Sequence, residues 1–272
     1  MNTNSNFYTI IYTTVIVVAV AAVLALVSQS LKSKQEANEK ADTISQMMTA
    51  AGYGTKAEFQ KMGNAAVLEK YAQELDKAYI VNVKGEILED LDASTVFSPS
   101  QLKAQNYLLK GDDLTARIPV FEFKKDGLRV VPVYGAGLWG PVWGYIAIAR
   151  DNSIAGAYFD HESETAGLGA RIKDDPAFQA EFRGALPDFA SDDVIAIVKG
   201  GAPRDAEGND IPDNKVDAIT GATMTSQGLE AAIDVWLHAY AAALTATSGS
   251  EIDNSVISSE GEAGVEKSNQ ED

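Results

Sequence analysis

The chain has 272 residues, a formal net charge of −17 and no cysteine. That length allows one or two domains with an ample core, and the acidity argues against nucleic acid or an anionic membrane surface as a partner. Disulfides, thiolate metal sites, protein-ligated iron–sulfur clusters and cysteine nucleophiles are excluded, and two histidines, His161 and His238, leave little from which to build a histidine metal site.

No charged side chain precedes Lys32, and Thr9–Val27 is almost wholly apolar, broken only by Thr and by Tyr12. About 20 such residues cross a bilayer core of ~30 Å as a helix. A signal peptide would carry a basic n-region and a shorter apolar core, and a lipoprotein anchor would need a cysteine. Residues 1–30 therefore read as a retained single-span anchor. Lys32, Lys34 and Lys40 follow the span, so charge alone places the rest of the chain in the cytoplasm.

Residues 31–54 read as a helical stalk. Leu31, Ala41, Ile44, Met48 and Ala51 fit one apolar stripe, and Gly52 or Gly54 can end the helix. The charged stretch Lys32–Asp42 is expected to be solvated, so the stalk either packs on partner subunits or is a simple spacer. Met47 and Met48 read as core or interface filler.

Residues 55–244 read as the main domain. Thr55–Gly63 and Asn64–Leu75 look like short helices, with Asn64 as a cap. Strands are expected at Ala78–Val83, Glu86–Leu88, Ala116–Phe123, Leu128–Tyr134, Gly144–Ala149, Ile154–Asp160 and Val194–Val198, with Ser98–Leu109 a loop or short helix and Pro176–Arg183 a short helix. Turn residues at hairpin spacing, such as Lys125-Asp126-Gly127 and Asp151-Asn152, separate the runs. The pattern describes an α+β fold, an antiparallel sheet with flanking helices.

Three loops carry the chemical signals. Gly135-Ala136-Gly137-Leu138-Trp139-Gly140-Pro141 lies between two strands. Its glycines permit positive φ and close backbone approach, and it presents Leu138 and Trp139. The indole can stack on a planar ligand, or be buried beside a wide hairpin turn. His161-Glu162-Ser163-Glu164-Thr165-Ala166-Gly167-Leu168-Gly169-Ala170 follows another strand. There Glu164 and Thr165 offer polar contacts and Gly167-Leu168 a close-packing surface; the plainer alternative for Glu164 is a solvated loop carboxylate. His161 reads as a structural hydrogen-bonder. Lys199 ends a strand, either as a positive charge near an anionic ligand or as a surface lysine beside a turn.

The third loop is Asp217-Ala218-Ile219-Thr220-Gly221-Ala222-Thr223-Met224-Thr225-Ser226. It precedes an amphipathic helix in which Leu229, Ile233, Trp236, Leu237 and Tyr240 share one face. Hydroxyl side chains at a helix start serve as caps, and the free N–H groups and positive dipole end there also suit a phosphate. Beyond the helix, residues 245–272 are rich in Ser, Glu and Asp and read as a disordered acidic tail.

Asp217-x-x-Thr220-Gly221-Ala222-Thr223 resembles the flavinylation motif of the FMN-binding domain family, with Thr220 where many relatives have Ser. His161-x-x-Glu164-Thr165-Ala166-Gly167-Leu168-Gly169 resembles a second element of that family, with Ala166 where Pro is usual. The order of span, charged stalk, Gly-Leu-Trp loop, Glu-Thr loop and threonine motif is similar to the C subunits of bacterial sodium-translocating NADH:quinone reductases. The stalk Leu31-Lys32-x-Lys34-Gln35-x-Ala37-Asn38 and the Gly-Leu-Trp loop favour that family over the G-type subunit of the Rnf ferredoxin:NAD reductase; that subunit or a self-standing extracytoplasmic flavoprotein reductase is the alternative within redox chemistry.

The resemblance implies a covalent FMN, attached by a flavin transferase through a phosphoester to Thr223. Thr220, Gly221 and Ala222 would lie at the phosphate turn, and Asp217 would serve transferase recognition. Leu138, Trp139, Glu164, Thr165, Gly167, Leu168 and Lys199 would line the flavin. It implies no metal site and no catalytic acid–base pair in this chain. The family relays electrons from an iron–sulfur centre to the FMN of the B-type subunit, in a complex with A, B, D, E and F types of subunit that oxidises NADH, reduces ubiquinone and moves sodium outward. It places the FMN domain on the periplasmic side of the cell inner membrane, against the charge count after the span. Outside redox chemistry, the alternative is a membrane-anchored binding or scaffold domain in which Thr220–Ser226 is only a helix cap.

Overall fold

The structure, a computed structural model, describes residues 6–111, 113–200 and 213–261, with side chains up to residue 246. Helix α1 runs unbroken from Asn6 to Ala50. At 1.5 Å per residue it is roughly 68 Å long, so a span of ~30 Å uses less than half of it. Its N-terminal part is apolar and exposed, long and apolar enough to cross a membrane. Burial begins at Ala41 and takes in Ile44, Met47, Met48 and Ala50. Leu31, placed on the same stripe by its spacing, stays exposed, because the stripe meets the domain only in the last three turns. The helix ends at Gly52, whose φ of +73° lets the Gly52 and Tyr53 N–H groups bond back to the Thr49 and Met48 carbonyls.

Two short helices follow. Helix α2, Lys56–Met62, opens with a capping box between Thr55 and Glu58. Helix α3 is Asn64–Glu74, and its N-cap is Gly63 (φ +84°), so the expectation that Asn64 caps it is corrected. Gly63 ends α2 in a conformation open to glycine and starts α3 at once. Asn64 thus falls inside the helix, and its Nδ2 donates to Asn38 Oδ1 of α1 at 2.6 Å.

The sheet comprises β1 (Leu75–Val81), β2 (Ile87–Asp90), β3 (Ile118–Phe123), β4 (Arg129–Ala136), β5 (Pro141–Ile148) and β6 (Ile154–His161), in the order β2-β1-β3-β4-β5-β6 and antiparallel throughout. Helix α4 (Pro99–Lys110) lies between β2 and β3 in the chain. Short helices α5 (Arg171–Asp174) and α6 (Pro176–Ala180) follow β6. A separate parallel pair, β7 (Ala196–Val198) and β8 (Lys215–Asp217), leads into helix α7, Thr223–Gly261. Helical backbone therefore runs on into the stretch whose composition reads as disordered; no proline occurs between Thr223 and Gly261 to stop it. The rest of that expected tail, residues 262–272, lies outside the described residues.

Because side chains alternate along a strand, β5 feeds two cores. Ile146 and Ile148 join Trp236, Tyr240, Phe159, Phe178 and Phe182 under α4, α6 and α7. Tyr145 and Ala147 join Ile44, Met47, Phe59, Tyr71 and Phe123 under α1, α2 and α3. The methionine pair is core, with both side chains fully buried. A β-carbon on Gly156 of β6 would come within 2.5 Å of the Ala50 carbonyl oxygen, so the end of α1 lies directly on the sheet.

Candidate functional site

The β4–β5 hairpin is longer and tighter than its sequence predicts. Ala136 pairs with Pro141 and Gly135 with Val142, leaving only Gly137–Gly140 as the tip, closed by Gly137 N–H to the Gly140 carbonyl at 2.8 Å. Proline is tolerated here because it is the first residue of its strand. The tip holds Leu138 and Trp139 out of the core, and Trp139 is 68% exposed, so the buried-indole alternative is ruled out.

The loop after β6 folds back on that tip. Ser163 Oγ donates to the Trp139 carbonyl at 3.0 Å. Thr165 is exposed, and its carbonyl accepts from the N–H groups of Leu168 and Ala170, both at 3.1 Å, across Gly167 at φ +73°. The turn is thus closed by hydrogen bonds with Ala166 in place of proline. His161 Nδ1 accepts from the Glu164 N–H at 3.1 Å, which stiffens the start of the loop.

The Thr motif leaves β8 at Asp217, which is half-buried and in register with Val198 of β7. Exposed Lys199 follows Val198, so it stands at the same end of the strand pair as the turn. Gly221 has φ +84°, and a β-carbon there would lie 3.2 Å from Leu168 Cδ2. The Glu-Thr loop and the Thr motif are therefore in contact. Ala222 is buried; its N–H bonds to the Ile219 carbonyl, and its carbonyl accepts the Ser226 N–H as the first bond of α7.

Three hydroxyls follow, with different fates. Thr225, 1% exposed, donates to Glu164 Oε2 at 2.7 Å. Ser226, also buried, accepts the Ile219 N–H on Oγ at 3.3 Å. Thr223 is exposed at the first position of α7, and its hydroxyl makes no hydrogen bond among the described residues. Met224 beside it is exposed, exposed Leu168 lies against Gly221 of the same turn, and the hairpin tip that Glu164 links to Thr225 exposes Leu138 and Trp139. A free hydroxyl at the positive end of a long helix, flanked by large exposed apolar side chains, fits a phosphate ester carrying a planar ring.

Glu164 sits between the loops. It is 8% exposed, Oε1 accepts the Trp139 N–H at 2.9 Å, and Oε2 accepts the Thr225 hydroxyl. It is not a solvated loop carboxylate. Thr225, which no sequence motif singles out, adds a buried link through Glu164 from the Thr motif to the other two loops. A cavity of about 570 Å³, lined by Lys103, Tyr107, Tyr134 and Trp143 among others, opens between α4 and the base of the hairpin, and no residue of the Thr motif lines it. The predicted site is thus built at loop tips rather than in that cavity.

Residues 137–238 match the model of the FMN-binding domain family, a stretch that begins at the hairpin tip and includes Glu164 and Thr223. The chain is 30% identical over 240 residues to the C subunit of the Na(+)-translocating NADH-quinone reductase of Vibrio campbellii, covering 82% of this chain and 84% of that protein. The chain belongs to the family of C subunits of Na(+)-translocating NADH-quinone reductases. The crystal structure of the Parabacteroides distasonis C subunit superposes with a TM-score of 0.60 at 32% identity, over 79% of this chain and 97% of that one. The Shewanella oneidensis NqrC structure shares the fold, with a TM-score of 0.61 at 24% identity over 78% of this chain and 99% of that one. For a member of this family, the α+β fold, the FMN-binding domain and the apolar N-terminal helix are the expected parts.

Proposed function

We propose that this chain is the electron-carrying flavoprotein subunit, of the C type, in a sodium-translocating NADH:quinone reductase complex, with FMN joined through its phosphate to the hydroxyl of Thr223. One observation carries the assignment. Of the three hydroxyls that open α7, only that of Thr223 is exposed and unengaged among the described residues. In the attachment, catalysed by a flavin transferase, Thr223 Oγ1 forms a new bond to the flavin phosphorus. The donor is a flavin dinucleotide: its phosphoanhydride P–O bond breaks, the nucleoside monophosphate leaves with the electron pair, the hydroxyl proton goes to the leaving group or solvent, and the chain gains FMN less one water.

The chain's residues bind and orient the group. The free N–H groups of the first turn of α7 would hold the phosphate and favour its charge. Thr220 and Gly221 shape the turn beneath it, and Lys199 can add positive charge from the end of β7. Asp217 serves recognition by the transferase. Leu138, Trp139 and Leu168 would wall the ring, with Thr165 and Gly167 forming the turn that sets Leu168 in place. FMN, when bound, supplies reversible electron uptake, and the protein tunes its potential through contacts with the ring. No acid–base side chain is needed for that task.

In the assembled complex this chain would relay electrons from an iron–sulfur centre to the FMN of the B-type subunit, coupled to outward sodium movement. Subunits of the A, B, D, E and F types would be the partners. The FMN domain would face the periplasm, with α1 anchored in the inner membrane. The lysines after the span oppose that orientation, and partner helices would override one weak anchor. Thr223→Ala made alongside an active transferase should fold and stay colourless; FMN that survives denaturation of that variant would refute the assignment.

A further inference from the structure

We propose that Glu164 and Thr225 are positioning residues, a buried clamp that holds the three loops of the flavin site in one geometry before the cofactor arrives. The inference rests on the flavin reading of Thr223 and deepens it.

The carboxylate of Glu164 spans the gap between the Trp139 N–H and the Thr225 hydroxyl, at 2.9 and 2.7 Å. These partners lie 25 residues before it and 61 after it in the chain. The backbone closes tightly around the link. A β-carbon on Gly137 would lie 2.5 Å from Glu164 Oε1, and one on Gly169 would lie 2.4 Å from Oε2 and 2.5 Å from Thr225 Oγ1. Each of the three loops thus touches the same carboxylate.

No lysine or arginine pairs with Glu164 among the described residues. A buried carboxylate held by neutral donors is costly unless they are well placed. The positive end of α7, two residues before Thr225, offsets part of that cost. Removing the Thr225 hydroxyl would leave a buried oxygen short of a partner, and the cheapest relief is for the loop to open toward water. Opening would move Trp139, Leu168 and the first turn of α7 relative to one another. Thr223 and the ring walls would then no longer be set as a unit.

The experiment is co-expression of the full-length chain with a flavin transferase, reading FMN incorporation by intact mass and the midpoint potential of the attached FMN. Glu164→Gln preserves both links, since the amide oxygen accepts from Trp139 and the amide N–H donates to Thr225. It and Thr225→Ser should incorporate FMN within about twofold of the parent chain. Thr225→Val should fall about tenfold, the scale of one hydrogen bond to a charged group, and Glu164→Ala, which breaks both links, at least as far. The double variant should be no worse than Glu164→Ala alone, because Glu164→Ala already breaks the link to Thr225. The potential should move in Thr225→Val and not in Thr225→Ser. Full incorporation and an unchanged potential in Thr225→Val would overturn the clamp. So would effects that multiply, or a Glu164→Gln as poor as Glu164→Ala, which would assign the charge itself. If Thr225→Val fails to fold, Thr225→Ala takes its place in the same comparison. A parent chain that gains no FMN would instead sink the flavin reading on which the clamp depends.

Discussion

The carbonyl oxygen of Ala136 occupies the space that a side chain on Gly228 would need, 2.3 Å from the ideal β-carbon position. One helical turn later Ala232 fills the same role against Gly135, whose β-carbon would meet Ala232 Cβ at 2.5 Å. Helix α7 therefore lies on the base of the β4–β5 hairpin with almost no side chain between them. The contact sets the height of Thr223 relative to Trp139. Gly228→Ala should push the helix away and cost about 1–3 kcal/mol of stability, the usual range for overpacking. It should also lower FMN incorporation, since the two halves of the site separate. Urea unfolding and intact mass on the same preparation check both; an unchanged midpoint with full incorporation would remove the contact from the site.

Trp139 and Trp236, two of the three tryptophans, should behave oppositely. Trp139 is exposed at the hairpin tip, so Trp139→Ala should change stability by no more than about 0.5 kcal/mol. Its effect should fall on the absorbance and potential of attached FMN. Trp236 is fully buried, and its Nε1 donates to the Tyr134 carbonyl at 2.9 Å and to Asn106 Oδ1 at 3.1 Å. Trp236→Ala should cost about 3–5 kcal/mol, with any flavin effect secondary to unfolding. Thermal melts and flavin spectra of the two variants, side by side, separate the roles.

The sheet is legible in the sequence because turn residues such as Asp126-Gly127 and Asp151-Asn152 separate runs dense in Val, Ile and Tyr. The α7 core face is legible because Leu229, Ile233, Trp236 and Tyr240 recur at helical spacing and are all buried. Strand β8 is not, since Lys-Val-Asp has no periodicity and its parallel partner β7 is remote in the chain. Asn64 misleads because the true cap, Gly63, works through backbone conformation and not through a side chain. The motif residues of the site could be read from a resemblance, but the work of Glu164 could not. Its partners are distant in sequence, one of them a backbone N–H, and local pattern carries no record of either.

Gln46 should prove the key polar residue between α1 and the sheet. It is buried, with Nε2 donating to Asp42 Oδ2 at 2.8 Å and Asp160 Oδ2 at 3.1 Å, while Oε1 accepts from Trp143 Nε1 at 3.2 Å. Asp160 is buried as well and pairs with Lys173 at 2.8 Å. Gln46→Leu keeps the bulk but strands the Trp143 N–H and one oxygen of Asp160, at about 1–3 kcal/mol for each unsatisfied group. Gln46→Glu should cost more, because it sets a third carboxylate between Asp42 and Asp160. Unfolding in detergent, followed by tryptophan fluorescence, should rank the parent above Leu and Leu above Glu. A Gln46→Leu chain as stable as the parent would show that apolar packing alone holds α1 to the domain.

Asp234 on α7 should make the fold less stable as pH rises through the mildly acidic range. Burial pushes its carboxyl up from 3.8 to about 6, and neighbouring Asp193 adds to the shift. Hydrogen bonds from the Val194 and Ile195 N–H groups and the charge of His238 oppose it. Glu230 is raised too, mainly by burial, and the carboxylates of Asp193, Glu230 and Asp234 lie within 4.8 Å of one another. The folded chain holds the Asp234 proton more tightly than the unfolded chain does. Stability from this group is therefore complete below about pH 4 and is lost as pH rises through about 6. Asp234→Asn keeps an oxygen for the Val194 N–H and removes the charge. At pH 8 it should exceed the parent by about 1 kcal/mol, because solvent screens this half-buried charge, or a gain of about 2–4 °C in Tm for a domain of this size. The two melting curves should coincide near pH 4; a gain of equal size at both pH values would mean that the carboxyl is not the group responsible.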